Sequence, residues 1–188
     1  MGIVEVVLIG VALSMDAFAV TISDMFAYPA MTRARQLMLP VAFGLFQGLM
    51  PVLGYILGSA FGAVIERYSG IVALIILGFI GGNMIKEGVQ TLRDGGDGGM
   101  GVESGVITLP AVVMQAIATS IDAFAVGVTL RAEAVSIVSA ASIIALTTFA
   151  LCIVALVVGR RFGTVLGERA EVVGGIVLVI IGIKAMLP

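Results

Sequence analysis

SMDAFAV at Ser14 to Val20 and SIDAFAV at Ser120 to Val126 decide the fold, and their aspartates lie 122 − 16 = 106 positions apart. Each sets one carboxylate, Asp16 or Asp122, inside an apolar run. A charge at the depth of a bilayer costs ~2.5 to 3.5 kcal/mol on insertion scales, and such residues face a bundle interior or a watery path. A chain that places one twice in nearly the same seven residues is built around them.

The surroundings are those of an integral membrane protein. Of 188 residues, 60% are hydrophobic and 12% charged, against about 25% charged in soluble domains. The net charge of −2 comes without a long basic run, which argues against nucleic acid as a partner. The chain has no histidine and a single cysteine, so disulfides and imidazole or thiolate clusters are excluded and a metal must be held mainly by oxygen, with methionine sulfur as the one other donor available. Cys152 reads as lipid-facing or packed. Ala17-Phe18-Ala19 resembles a signal-peptide cleavage site, but Glu5 stands where a basic region belongs and Ala-Phe-Ala returns at 123–125, so the first apolar run is expected to stay as a membrane helix.

A spanning helix needs about 20 mostly apolar residues. Six such runs are expected: Ile3 to Ser23, Leu37 to Ile65, Ile71 to Val89, Val106 to Leu130, Ala134 to Gly159 and Val172 to Pro188. Residues 93–105, with six glycines and Asp94, Asp97 and Glu103, form a flexible polar linker. They divide the chain into a first three-helix unit, 1–92, and a second, 106–188. The units repeat: Gly54, Gly58, Phe61-Gly62 and Gly81 align with Ala155, Gly159, Phe162-Gly163 and Gly182 at an offset of 101. Three spans per unit is odd, so the second unit enters from the opposite side, giving an all-α membrane protein of two inverted repeats. Arg33, Arg35, Lys86, Arg93, Arg160, Arg161 and Arg169 then share one side and Arg67 and Arg131 the other. The excess of basic residues marks the cytoplasmic side, with both termini outside.

Asp16 lies 16 − 3 = 13 positions into its run and Asp122 lies 122 − 106 = 16, about 20 and 24 Å along antiparallel helices. Both can flank one central cavity and balance a divalent cation. Gln47 and Asn83 each offer a carbonyl oxygen. Pro51 frees a carbonyl near Gln47, and Met50 as a ligand would favour a transition metal. Lys184, aligned with Asn83, can neutralise an aspartate when no cation is bound. Ser120 adds a hydroxyl, although such hydroxyls commonly bond their own helix, and Glu87, beside Lys86, is either an interfacial anchor or a coupling group. Packing alone can account for the small-residue ladders, Gly44/Gly48, Gly54/Gly58/Gly62 and Ala155/Gly159/Gly163. No nucleotide-binding loop is present, no cofactor or obligate protein partner is evident, and the partners expected are a divalent ion and lipid.

Taken together, SMDAFAV, ATSIDAFAVG (Ala118 to Gly127), Phe43-Gly44 with Gln47 and Met50-Pro51, LGFIGGNMIKE (Leu77 to Glu87) and Gly174 to Leu178 with Gly182-Ile183-Lys184 resemble the small bacterial manganese exporters of the MntP type, over essentially the whole chain. The resemblance implies export of Mn²⁺ across the bacterial inner membrane, with Asp16 and Asp122 at the centre of transport. Rival readings are a channel, an exporter of another cation or small solute, and an intramembrane aspartyl protease. The Gly-x-Gly-Asp stretch of such proteases is absent, since Met15 and Ile121 precede the acids.

Overall fold

The structure, a computed structural model, describes residues 2–29, 31–93, 107–132, 136–166 and 170–186. All five of its described elements are helices: α1 (Ile3–Ala27), α2 (Arg33–Arg93), α3 (Leu109–Ala132), α4 (Ile137–Leu166) and α5 (Ala170–Met186). The expected linker past Arg93 lies outside the described residues.

Local chemistry sets the helix ends. Glu5 sits in the first turn of α1 and its Oε2 accepts from the Gly2 amide at 2.9 Å, satisfying a donor that the helix leaves open and placing negative charge at the positive end of its dipole. The far end closes with the Tyr28 amide on the Asp24 carbonyl at 2.9 Å, one residue before Pro29, which disfavours helical geometry at its predecessor. The Thr108 carbonyl and hydroxyl accept the amides of Val112 and Ala111 at the start of α3. Pro110 sits in that first turn, where no amide is missed.

The burial pattern is that of a protein in lipid. Gln47, Ser14, Asp24 and Thr148 are fully buried, while Ile3, Val138, Leu146 and Val157 are each more than two-thirds exposed. Four stretches are long and apolar enough to cross a membrane: Ile3–Ala27, Arg33–Leu57, Leu109–Arg131 and Ile137–Arg161.

Several boundaries differ from expectation, and α4 runs to Leu166, past the expected end at Gly159. The first helix runs to Ala27, four residues past the expected end at Ser23, because Asp24 is buried against α3 and does not begin a loop. The second and third expected spans belong to one helical run, and no interruption appears at Glu66 to Gly70. A straight helix would put Gln36 and Gly81 about 68 Å apart, yet both are tied to one end of the bundle. Gln36 accepts from Arg160. Gly159, next to Arg160, packs on Ile22 and Met25. Ser23 donates to the Gly174 carbonyl, and Gly175 packs on the Gly81 carbonyl. The run therefore doubles back between Leu57 and Leu74. Arg131 donates to the carbonyls of Tyr55 and Ile56 at 2.8 and 3.3 Å and lies over the Tyr55 ring, a cation–π contact that fastens the end of α3 to α2. The earlier limb rises from the end bearing Arg33, Arg160 and Arg161, called here the basic end, and the later limb returns to it.

Packing joins α1 to α4 and α3 to α2. At the second seam the backbones nearly touch. A methyl group on Gly54 would lie 2.0 Å from the Phe124 carbonyl oxygen, and one on Gly127 2.1 Å from that of Pro51. Only glycine allows this approach, which presses the SIDAFAVG stretch onto the Pro51 segment.

Candidate metal centre

Asp16 lies midway along α1 and is half-buried. Asp122 lies midway along α3 and its carboxylate is accessible. The flanking Ala17, Ser120, Ala123 and Phe124 are all buried. The two carboxylates lie within electrostatic reach of one another, and Lys184, exposed near the end of α5, is within reach of Asp16. α1, α3 and α5 thus each bring one charge toward the same region of the bundle, and lipid does not solvate a carboxylate.

Several buried polar groups gather around the middle of α1. Gln47 of α2 is fully buried and its Nε2 donates to the Leu13 carbonyl at 2.9 Å. One residue on, Ser14 Oγ lies 2.8 Å from Thr148 Oγ1 of α4 and 2.5 Å from the Gly10 carbonyl. Gln47 and Thr148, aligned by the repeat, so grip consecutive residues of α1 just before Asp16. Gln47 Oε1 is buried and has no hydrogen-bond partner. A buried oxygen left without a partner calls for an explanation, and one turn along α1 from Asp16 it is a candidate neutral ligand.

The other expected residues fall into different surroundings. Ser120 is fully buried and bonds its own helix at the Ala116 carbonyl, 2.5 Å away, repeating the Ser14 to Gly10 bond in the second motif. Met50 packs with Leu13, Ala123 and Ile144 in an apolar cluster. Asn83 is exposed on the later limb, beyond Gly81, which packs on Gly175, Leu178 and Val179 of α5. Among the described residues no hydrogen bond joins it to either aspartate. The side chain of Glu87 lies outside the described residues. Cys152 is fully buried beside Thr21, so it packs between α4 and α1.

One buried acid was not anticipated from sequence. Asp24, fully buried in the last turn of α1, accepts through Oδ1 from Nε2 of the equally buried Gln115 of α3 at 2.9 Å. The spacing held a trace of it. Asp24 follows Asp16 by 8 positions and Gln115 precedes Asp122 by 7, so two antiparallel helices that pair the aspartates also pair these.

Among the described residues no three acidic or cysteine side chains gather into a metal cage. A metal at the aspartates must complete its shell with amide oxygens, carbonyls or water. A cavity of about 630 Å³ lies elsewhere, at the basic end between α2 and α4, lined by Arg33, Gln36, Leu37, Leu156, Arg160 and Arg161 among others. It holds arginines and no carboxylate, the wrong charge for a cation.

Comparison with known proteins identifies the family. Residues 30–186 match the family model Mntp, described as "Putative manganese efflux pump". Proteins of that name from Ruminiclostridium cellulolyticum, Clostridium botulinum (strain Loch Maree / Type A3) and Methanosphaera stadtmanae are 41%, 38% and 34% identical to it. These alignments cover 98%, 100% and 97% of this chain and 95%, 95% and 98% of the relatives. No solved structure matches. An efflux pump moves its substrate without converting it, so the protease reading falls away. The chain is a multi-pass membrane protein and belongs to the Mntp family of manganese efflux pumps.

Proposed function

We propose that this protein exports Mn²⁺ from the cytoplasm, binding it between Asp16 and Asp122 with Gln47 Oε1 as a neutral third ligand. The observation that carries the reading is the convergence of two mid-helix carboxylates from antiparallel helices beside an unpartnered buried amide oxygen. Two carboxylates neutralise a 2+ ion, and Lys184 neutralises Asp16 once the ion has left. Met50 and Asn83 stand outside this ligand set, Met50 for its apolar packing and Asn83 for its exposure.

In this reading α2 supplies two crossings, making six, and the chain forms two inverted three-helix repeats with both termini outside and the basic end in the cytoplasm. Packing of α1 on α4 and of α3 on α2 supports the symmetry, since the repeat exchanges one pair for the other. The repeats rock about the shared site and open it alternately. A negative interior opposes cation exit by ~2.3 kcal/mol per charge per 100 mV, and exchange for protons supplies the drive.

The test is Mn²⁺ flux in proteoliposomes with lumenal pH recorded. The unmodified chain is expected to couple the two fluxes, and Asp16→Asn and Asp122→Asn each to abolish Mn²⁺ movement. Flux surviving in the double variant would refute the site.

A further inference from the structure

Asp24 and Gln115 share one hydrogen bond, and each keeps a second oxygen, Asp24 Oδ2 and Gln115 Oε1, buried without a partner. An ionised carboxylate makes this arrangement poor twice over, with a fully buried charge and two lost hydrogen bonds. One proton repairs both faults. A carboxylic acid facing a primary amide can close a ring: the amide N–H donates to the acid's carbonyl oxygen and the acid's O–H donates to the amide oxygen. The existing Nε2 to Oδ1 bond is the first half.

We propose that Asp24 and Gln115 form a proton-binding site at the basic end of the α1–α3 seam, distinct from the metal centre, in which an Asp24 Oδ2–H bridges to Gln115 Oε1. The stoichiometry of the pair selects a proton over a metal. One carboxylate with one neutral amide becomes neutral with H⁺, whereas a divalent ion would leave a net positive charge fully buried.

The charged and titratable groups on the elements around it are few. On α1, Asp16 is two turns away and Tyr28 one turn. Between Ile107 and Thr119, α3 has none. α4 carries Cys152, beside Thr21, and at its basic end Arg160 and Arg161; the basic end of α2 carries Arg33 and Arg35, with Lys86 on the later limb. Glu171 of α5 and Glu87 of α2 have side chains outside the described residues. Among the described residues, the one side chain bonded to that of Asp24 is Gln115. Deprotonation passes the Oδ2 proton to water at the basic end and leaves the carboxylate; reprotonation reverses it. Resting on the transport reading, this is the proton exchanged for the exported cation.

Asp24→Asn is the decisive variant, because its amide imitates the protonated acid and keeps the fold. Infrared spectroscopy of the purified chain over a pH titration is expected to show a carboxylic-acid absorption that persists in the Asp16→Asn/Asp122→Asn double variant and vanishes in Asp24→Asn. Gln115→Leu should shift that absorption to the frequency of an unbonded acid. In proteoliposomes, Asp24→Asn should keep Mn²⁺ binding but lose Mn²⁺-driven proton movement. A band unchanged in Asp24→Asn, proton movement undiminished in it, or loss of Mn²⁺ binding as complete as in Asp16→Asn would each overturn the proposal. Failure of the unmodified chain to move Mn²⁺ would sink the transport reading alone, and the infrared band would then decide this site.

Discussion

Gln47 Nε2 donates to the Leu13 carbonyl at 2.9 Å, fixing an amide of α2 one turn before Asp16 of α1 with its oxygen left over. Removing the amide should act twice. Gln47→Leu is expected to weaken Mn²⁺ binding, read by titrating the purified protein with Mn²⁺. Its effect on stability should be modest, about 1 kcal/mol for a lost neutral hydrogen bond, since the orphaned oxygen leaves with the donor. Gln47→Glu adds a third carboxylate and should tighten Mn²⁺ binding at neutral pH.

The metal centre should respond to acid. Protons and Mn²⁺ compete for Asp16 and Asp122, and carboxylates ligate metal only when ionised. Apparent Mn²⁺ affinity should therefore fall as pH falls, and the dependence should flatten when either aspartate becomes asparagine. Calorimetric titration at several pH values checks this, and affinity independent of pH would count against ionised Asp16 and Asp122 as the ligands.

Close backbone packing predicts two sharp costs and one control. Gly54→Ala and Gly127→Ala would put a methyl 2.0 and 2.1 Å from carbonyl oxygens across the α2–α3 seam, and such overpacking costs ~1 to 3 kcal/mol or more. Gly82 meets nothing within 4 Å, and Gly82→Ala should be neutral or stabilising by ~0.5 to 1 kcal/mol through reduced chain entropy. Thermal unfolding in detergent separates the two classes.

The Ser14 to Thr148 contact joins α1 to α4 directly beside the motif. Thr148→Val keeps the shape and removes the hydroxyl, and should cost ~0.5 to 1.5 kcal/mol. Ser14→Ala with Thr148→Val should cost less than the sum of the single changes, because the second leaves no new unpaired group. A double-mutant cycle by thermal unfolding measures the difference.

Orientation has its own test. Cys152 is fully buried and gives little background labelling by a membrane-impermeant maleimide. A cysteine at Gly2 should then label in intact cells, and one at Arg35 only after the membrane is opened. The reverse pattern would invert the topology.

Much of this was legible in the sequence because membrane helices announce themselves by length and hydropathy, and a repeated motif announces a shared role. The four long crossing stretches and the mid-helix positions of Asp16 and Asp122 follow from those rules. Asp24 escaped because an acid at the end of an apolar run reads as solvated. Only its partner on another helix reveals that it is buried, and pairing between helices leaves no mark in local hydropathy. The section Glu66 to Gly70 reads as a loop by polarity, yet its backbone stays helical. The reversal there is fixed by Gly81 on Gly175 and Gln36 on Arg160, contacts between distant parts of the chain.

The bare seam at Pro51, Gly54, Phe124 and Gly127 also bears on movement. Helices that meet through interlocking side chains slide only by lifting ridges out of grooves. Here backbone lies on backbone, with no branch standing between them. Such a surface resists compression, and Arg131, bonded to the carbonyls of Tyr55 and Ile56, sets the register of the helix that carries Asp122 along α2.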